Sequence, residues 1–429
     1  MGDLLWPGDE RAGDLASDDA FLAAMVRVEQ AWLDALHGAG VAPTSTDLLG
    51  LVGLADADAL ASAAEAGGNP VIPLVRTMRE RLSERGDEQA ARWLHRGLTS
   101  QDVVDTGLVL ALGDAADAVL DEMAAQARAL LGLVERHRAS AMTARTLTQH
   151  AVPTTFGLLA ATWLTGVLDA ADDLRRVRSA LPIAFGGAGG TMSAATTLVR
   201  DAAVGARPVH APPADRAALE LVARCARALG LAVPTAPWHV VRSPLTRLGD
   251  ALVTCSDAWG HIASDVLALG RPEIGEVAEP AADGKGGSST MPNKRNPVLS
   301  VLIRRAAIAA PPLASTLHTA ATLAVDQRSD GAWHAEWGTA RTLARRALVA
   351  ASHTTELLAG LEVDPRRMRE RLEGVGAEVT AERRSMAALV GNAPAADSPD
   401  LILPDDLGAA DAIVDVVLAR ARTSLEITG

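Results

Sequence analysis

The chain has 429 residues, a formal net charge of −13, no tyrosine and three phenylalanines within a composition that is 48% hydrophobic. The acidic balance argues against nucleic acid as a partner. Cys225 and Cys255 form no CxxC pair, which excludes a disulfide framework or thiolate metal cluster and fits a reducing compartment. No basic-then-apolar leader is visible and no uncharged apolar run reaches bilayer length, so the expectation is a soluble, cytoplasmic protein with no membrane partner, no metal and no cofactor.

Alanine and leucine dominate the apolar residues, which favours closely packed helices over sheets. In chain order, the first predicted helix is capped by Ser17, carries the stripe Phe21, Met25, Val28, Trp32 and Leu36, and ends at Gly38. Shorter helical pieces follow, separated by Gly67-Gly-Asn-Pro70 and Glu84-Arg-Gly86. From about residue 100 the pattern lengthens into five helices, near 101–137, 154–180, 243–270, 297–325 and 334–360, with Pro311-Pro312 expected to kink the fourth. At 1.5 Å per residue these rods run roughly 40–55 Å, so they must lie side by side, within one chain or with copies of it. Trp163, Val167 and Leu168 read as core. Residues 1–100 are expected as an N-terminal helical domain, 101–360 as the long-helix bundle with a catalytic loop at 283–297, and 361–429 as a small C-terminal helical domain.

The loop draws attention because the only two lysines of the chain, Lys285 and Lys294, lie in it, together with Asn293 and Asn296, two of its four asparagines. Arginine replaces lysine freely on exposed faces, but not where a compact ammonium on a flexible stem must reach one point. Ser288 and Ser289 follow paired glycines, and a serine oxyanion becomes useful beside cations and amide donors. Pro297 suits the first turn of the next helix, whose positive end offers a site for a carboxylate. Three further polar segments sit at the ends of long helices. Thr99 and Ser100, in His95-Arg-Gly-Leu-Thr-Ser-Gln-Asp102, can cap a helix or donate to an anion. His150, in Thr146-Leu-Thr-Gln-His-Ala-Val-Pro153, is either structural or an acid/base group. Arg328 is a surface cation or a bidentate carboxylate clamp. Phe185-Gly-Gly-Ala-Gly-Gly-Thr191 has glycines enough for a phosphate loop, but neither the spacing nor the lysine of one.

Gly287-Ser-Ser-Thr-Met-Pro-Asn-Lys-Arg-Asn296 resembles the GSSxMPxKxN signature of the aspartase/fumarase superfamily, and the His95–Asp102 and His150 segments resemble its other two blocks. The resemblance spans nearly the whole chain. It implies an all-α, three-domain fold, a homotetramer with a twenty-helix core, and active sites shared between subunits. Within the superfamily, Gly68-Asn-Pro-Val-Ile-Pro73, Leu147-Thr-Gln-His-Ala151, Pro237-Trp-His239 and Gly331-Ala-Trp-His-Ala-Glu-Trp337 look most like the bacterial 3-carboxy-cis,cis-muconate cycloisomerases. The roles so implied are Ser288 as the base beside a carboxylate and His150 as the second catalytic group. Lys294 and Asn296 hold the aci-carboxylate, while Thr99, Ser100, Arg328, Gln149, Ser289 and His95 bind a small polycarboxylate.

Departures narrow the choice. The superfamily glutamate that orients the second-block histidine falls at Val301, and Trp337 stands where adenylosuccinate lyases carry an arginine. Ser243 follows Arg242 where related chains usually have Asp. Three readings remain open: a cycloisomerase of aromatic catabolism; a lyase that frees fumarate from a substituted succinate with an anionic leaving group such as nitrite; and a helical homologue without catalysis.

Overall fold

The computed structural model describes residues 3–202, 212–280, 285–287, 290–291, 294–391 and 407–428. The first helices are α1 (Asp18–Gly38), α2 (Ala57–Ala64), α3 (Val71–Glu84) and α4 (Glu88–Trp93). Then come α5 (Ser100–Arg136), strands β1 (Ala141–Thr146) and β2 (Gln149–Thr155), and α6 (Phe156–Ser179). They are followed by α7 (Ser193–Ala202), α8 (Ala214–Leu229), α9 (Ser243–Leu269), the short strand β3 (Val277–Ala278), α10 (Val298–Thr322) and α11 (Gly331–Ala359). The chain closes with β4 (Glu362–Val363), α12 (Pro365–Val375), α13 (Ala381–Leu389) and α14 (Ala410–Thr428).

The fold is mostly helical, and α5, α6, α9, α10 and α11 are the five long helices that the 3.6-residue period predicts. Helix α10 continues through Pro311 and Pro312. It is also the one helix among the described residues long and apolar enough to cross a membrane by length and composition, although it carries Arg304 and Arg305. Contacts divide the chain into two compact units. The first comprises Met1–Ala118, Leu174–Val253 and Ala310–Leu348; the second comprises Val119–Asp173, Thr254–Ala309 and Val349–Gly429.

In the first unit, Ser17 caps α1 by accepting the Ala20 N–H at 3.1 Å, and Met25, Val28, Trp32 and Leu36 are buried as the stripe requires. Trp32 meets Phe185 edge-on at 5.5 Å, and its indole N–H donates to the Arg96 carbonyl at 2.7 Å. In the second unit, Trp163, Val167 and Leu168 are buried as expected. Phe156 packs edge-on against Trp163, and Trp259 donates to the Gln126 amide oxygen at 2.8 Å. Gly260 lets α9 and α10 approach closely, since a Cβ there would sit 2.6 Å from the Ala307 methyl.

The helical reading misses one local feature of consequence. Residues 141–155 form an antiparallel hairpin rather than a plain lead into α6. Thr143, Thr146, Val152, Thr154 and Thr155 favour extended backbone, and Leu147 and Thr148 make the two-residue turn with φ of 48° and 69°. This turn type normally recruits glycine or asparagine, so its residues gave no warning.

Candidate active site

Thr99 and Ser100 stand at the start of α5, and buried carboxylates on the next turns fix them there. Asp102 accepts the Thr99 backbone N–H at 2.9 Å, reaching back to the helix start as a third-position acid does. The same carboxylate accepts the Gly186 and Gly187 N–H groups at 2.8 and 3.1 Å and meets His239 Nε2 at 2.9 Å. The glycine-rich segment therefore does cradle an anion with its amides, and that anion is internal. Glycine is required at 186, because a Cβ would come within 2.9 Å of Pro237 and His239. Gly187 adopts φ of 67°, in the left-handed region.

One turn further, Asp105 is gripped by Arg242 at 2.7 and 3.0 Å, by the Trp333 indole N–H at 2.8 Å and by the Gln101 amide at 3.1 Å. Arg242 also pairs with Glu336 at 2.6 Å, and the guanidinium is 1% exposed. Burial works against the Arg242 charge, but Asp105 and Glu336 outweigh it and hold its pKa above the ordinary value. Burial also pushes the Glu336 carboxyl up, with Arg242 opposing. Asp105 and Glu336 thus supply the countercharges for Arg242, a role that does not need an acid at Ser243. The network ties the start of α5 to the start of α11. Just before α11, Arg328 reaches across and donates to the Thr99 hydroxyl, so these two predicted substrate contacts are brought together.

His95 belongs to the same unit. It holds an uncommon φ of 64°, and its Nδ1 lies 2.6 Å from Glu29, a carboxylate with no exposure to solvent. Burial opposes charging of His95, but Glu29 outweighs it, with Asp102 adding and Arg79 subtracting, so the imidazole pKa is raised above 6.5. A raised folded pKa means that this pair stabilises the protein fully below about pH 6.5 and that the contribution is lost as pH rises through the folded value. Glu29→Gln is expected to lower the His95 pKa, since burial then acts with little opposition, read by NMR. The stability difference from wild type should be largest at acid pH and shrink as pH rises; a difference independent of pH counts against the charged pair.

The remaining predicted residues lie in the second unit. Gln149 and His150 occupy the exposed start of β2, His150 opposite Arg145 in the ladder, and Gln149 donates to its neighbour Thr148 at 3.3 Å. Arg145 pairs bidentately with the fully buried Glu276 at 2.7 and 3.0 Å, anchoring the hairpin to the segment that precedes the 283–297 loop. At the base of the loop, the Gly286 carbonyl accepts both the Asn296 backbone N–H at 2.8 Å and its side-chain amide at 3.2 Å, tying these two residues together. A Cβ on Gly286 would meet the Asn296 carbonyl at 2.6 Å. Lys285 pairs with Glu356. Lys294 is exposed and meets no carboxylate among the described residues. Ser288 and Ser289 lie outside the described residues. The start of α10 is already neutralised, because Glu279 accepts the Leu299 and Ser300 N–H groups at 3.0 and 2.6 Å. The expectation that this helix end awaits a substrate carboxylate gives way to an internal cap.

Sequence reasoning missed Glu29, Asp105, Glu336 and the part played by Asp102. A signal existed for the α5 pair. Asp102 and Asp105 are three apart on one helix face, flanked by Val103, Val104, Leu108 and Val109, and acids on an apolar face need partners.

Comparison with known proteins places the chain in a family. The sequence profile of the family described as Lyase matches residues 66–310. The chain is 42% identical over 386 residues to nitrosuccinate lyase of Streptomyces davaonensis, covering 88% of this chain and 78% of that one. It is 37% identical to 3-carboxy-cis,cis-muconate cycloisomerase of Bradyrhizobium diazoefficiens, covering 86% and 76%. The crystal structure of 3-carboxy-cis,cis-muconate lactonizing enzyme from Pseudomonas putida superposes with a TM-score of 0.77 at 30% identity, covering 96% of each chain. A match of this extent, joined to the loop motif and the five long helices, makes the chain an enzyme of the aspartase/fumarase superfamily and a member of its lyase family.

Proposed function

We propose that the enzyme is a cycloisomerase acting on 3-carboxy-cis,cis-muconate, working as a homotetramer with sites shared between subunits. The observation that carries this reading is Val301, an exposed aliphatic side chain early in α10 where the superfamily places the glutamate that orients the histidine corresponding to His150. A histidine without that support suits chemistry whose leaving group departs as a stable anion. In the lactonising direction a substrate carboxylate oxygen forms a bond to the conjugated carbon. The double-bond electrons move onto the neighbouring carboxylate, giving an aci-carboxylate dianion, and Ser288 delivers a proton to the carbon beside it. Run backwards, the steps are a β-elimination with an internal carboxylate as leaving group and the Ser288 oxyanion as base. Lys294 and Asn296 hold the dianion; Thr99 and Arg328 hold a second carboxylate.

A second reading has its own support in the 42% identity to nitrosuccinate lyase. Nitrite also leaves without a proton, and the product would be fumarate. The two separate by product. Carboxymuconate made in place from protocatechuate should lose its diene absorbance when the enzyme is added. Ser288→Ala should slow that loss by about 10²–10⁴-fold, the range for a positioned acid/base. Unchanged absorbance with wild type, together with fumarate released from nitrosuccinate, replaces the first reading by the second.

A further inference from the structure

The residues assigned so far account for two carboxylates, whereas the substrate of the first reading carries three. A groove of about 410 Å³ in the first unit is lined by Val71, Ile72, Val75, Arg76, Arg79 and Glu80 of α3, by His95 and by Ser100. Its size falls within the range of small-molecule sites. Ser100, which lines the groove, is the chain neighbour of Thr99, to which Arg328 donates.

Its charge is unbalanced toward the positive. Arg79 is half-buried and gives one N–H to the Leu94 carbonyl at 2.7 Å, while its Nε is buried with no partner among the described residues. Burial and the nearby Arg96 push the Arg79 pKa down, with Glu29 opposing. Arg76 is exposed and pairs with no carboxylate among the described residues. His95 is held toward its charged form by Glu29 behind it. Glu80, exposed at the rim, is the single acid of the lining. Val71, Ile72 and Val75 give the groove an apolar wall. An arginine pair, a hydroxyl and an aliphatic wall together match a carboxylate carried on a short hydrocarbon chain.

We infer that this groove is the subsite for the third carboxylate of a tricarboxylate substrate, with Arg76 and Arg79 as its cationic ligands and Ser100 as a hydroxyl donor. The inference rests on the cycloisomerase reading for its substrate, and it separates that substrate from a substituted succinate, which has only two carboxylates.

The test is calorimetric titration of the purified enzyme with propane-1,2,3-tricarboxylate and with succinate, for wild type, Arg76→Gln and Arg79→Gln. Wild type should bind the tricarboxylate at least about tenfold more tightly. Each variant should lose about tenfold or more of that affinity, the scale of one charge-assisted hydrogen bond, with succinate changed less than about twofold. Arg79 also supports the Leu94 carbonyl, so the exposed Arg76 carries the decision if Arg79→Gln fails to fold. Equal weakening of both acids, no weakening, or no wild-type preference overturns the subsite. Carboxymuconate turnover on the same preparations keeps the two ideas apart. Selective tricarboxylate loss without turnover retains the groove and rejects the cycloisomerase. Turnover with KM unchanged in Arg76→Gln retains the cycloisomerase and overturns the groove.

Discussion

Arg242→Met is expected to lower stability by about 3–5 kcal/mol at neutral pH, the cost of removing one member of a buried ion pair. The side chain fills similar space, so the loss is electrostatic. Asp105 and Glu336 stay behind with 0% and 2% side-chain exposure and no cation between them. Glu336 already has a pKa raised by burial, and losing Arg242 removes what opposes that rise. The sign of the pH dependence follows. Buried acids with folded pKa values above their unfolded ones destabilise only where the unfolded state is ionised. The gap from wild type should therefore be wide at pH 8 and narrow as pH falls toward 5, read from urea unfolding midpoints. Arg138→Met is the control. Arg138 pairs with Asp411 and Asp415, both well exposed, and solvent screens such pairs so that they contribute little. If Arg242→Met costs no more than Arg138→Met, the network does not hold the site together. If its cost does not change with pH, the stranded carboxylates are not the cause.

That network also marks where sequence reading stops. The five long helices were legible because their signal is periodic, and their observed bounds, such as Ser243–Leu269 against an expected 243–270, differ by a few residues at most. The core tryptophan Trp163 was legible for the same reason. The 283–297 loop stood out through composition, since a chain that avoids lysine kept two in one segment. Pairings between distant residues leave no such trace. Nothing in the spacing says that Arg242 meets Asp105, 137 positions away, or that His95 meets Glu29, 66 positions away. The glycine-rich segment 185–191 lacks the spacing and lysine of a phosphate loop, and nothing in it told that its amides would hold Asp102. The hairpin carrying His150 was hidden because its turn, Leu147-Thr148, uses residues that seldom adopt positive φ. The cap on α10 was hidden because Glu279 lies outside both the loop motif and the helix.

The largest effect on activity is expected from Lys294. Both lysines were singled out together, but their surroundings separate them: Lys285 is committed to Glu356, whereas Lys294 is exposed and free of any carboxylate among the described residues. An ammonium already neutralised adds little to a developing dianion; an unneutralised one adds a great deal. Lys294→Met should lower kcat/KM by about 10²–10³, the scale of one lost donor to an oxyanion. The loss should fall mainly on kcat, since the second negative charge exists only beyond the ground state. Lys285→Met should retain activity within about tenfold and act through the base of the loop. Lys294→Arg should recover little, because a planar fork cannot take the place of a point charge on a flexible stem. Asn296→Ala removes a second donor and also the side-chain bond that ties Asn296 to Gly286, so it mixes chemistry with geometry. Lys294 is the cleaner variant for that reason. Were Lys294→Met to raise KM and leave kcat intact, the ammonium would bind substrate and transition state equally, and stabilisation of the dianion would have to come from elsewhere in the site.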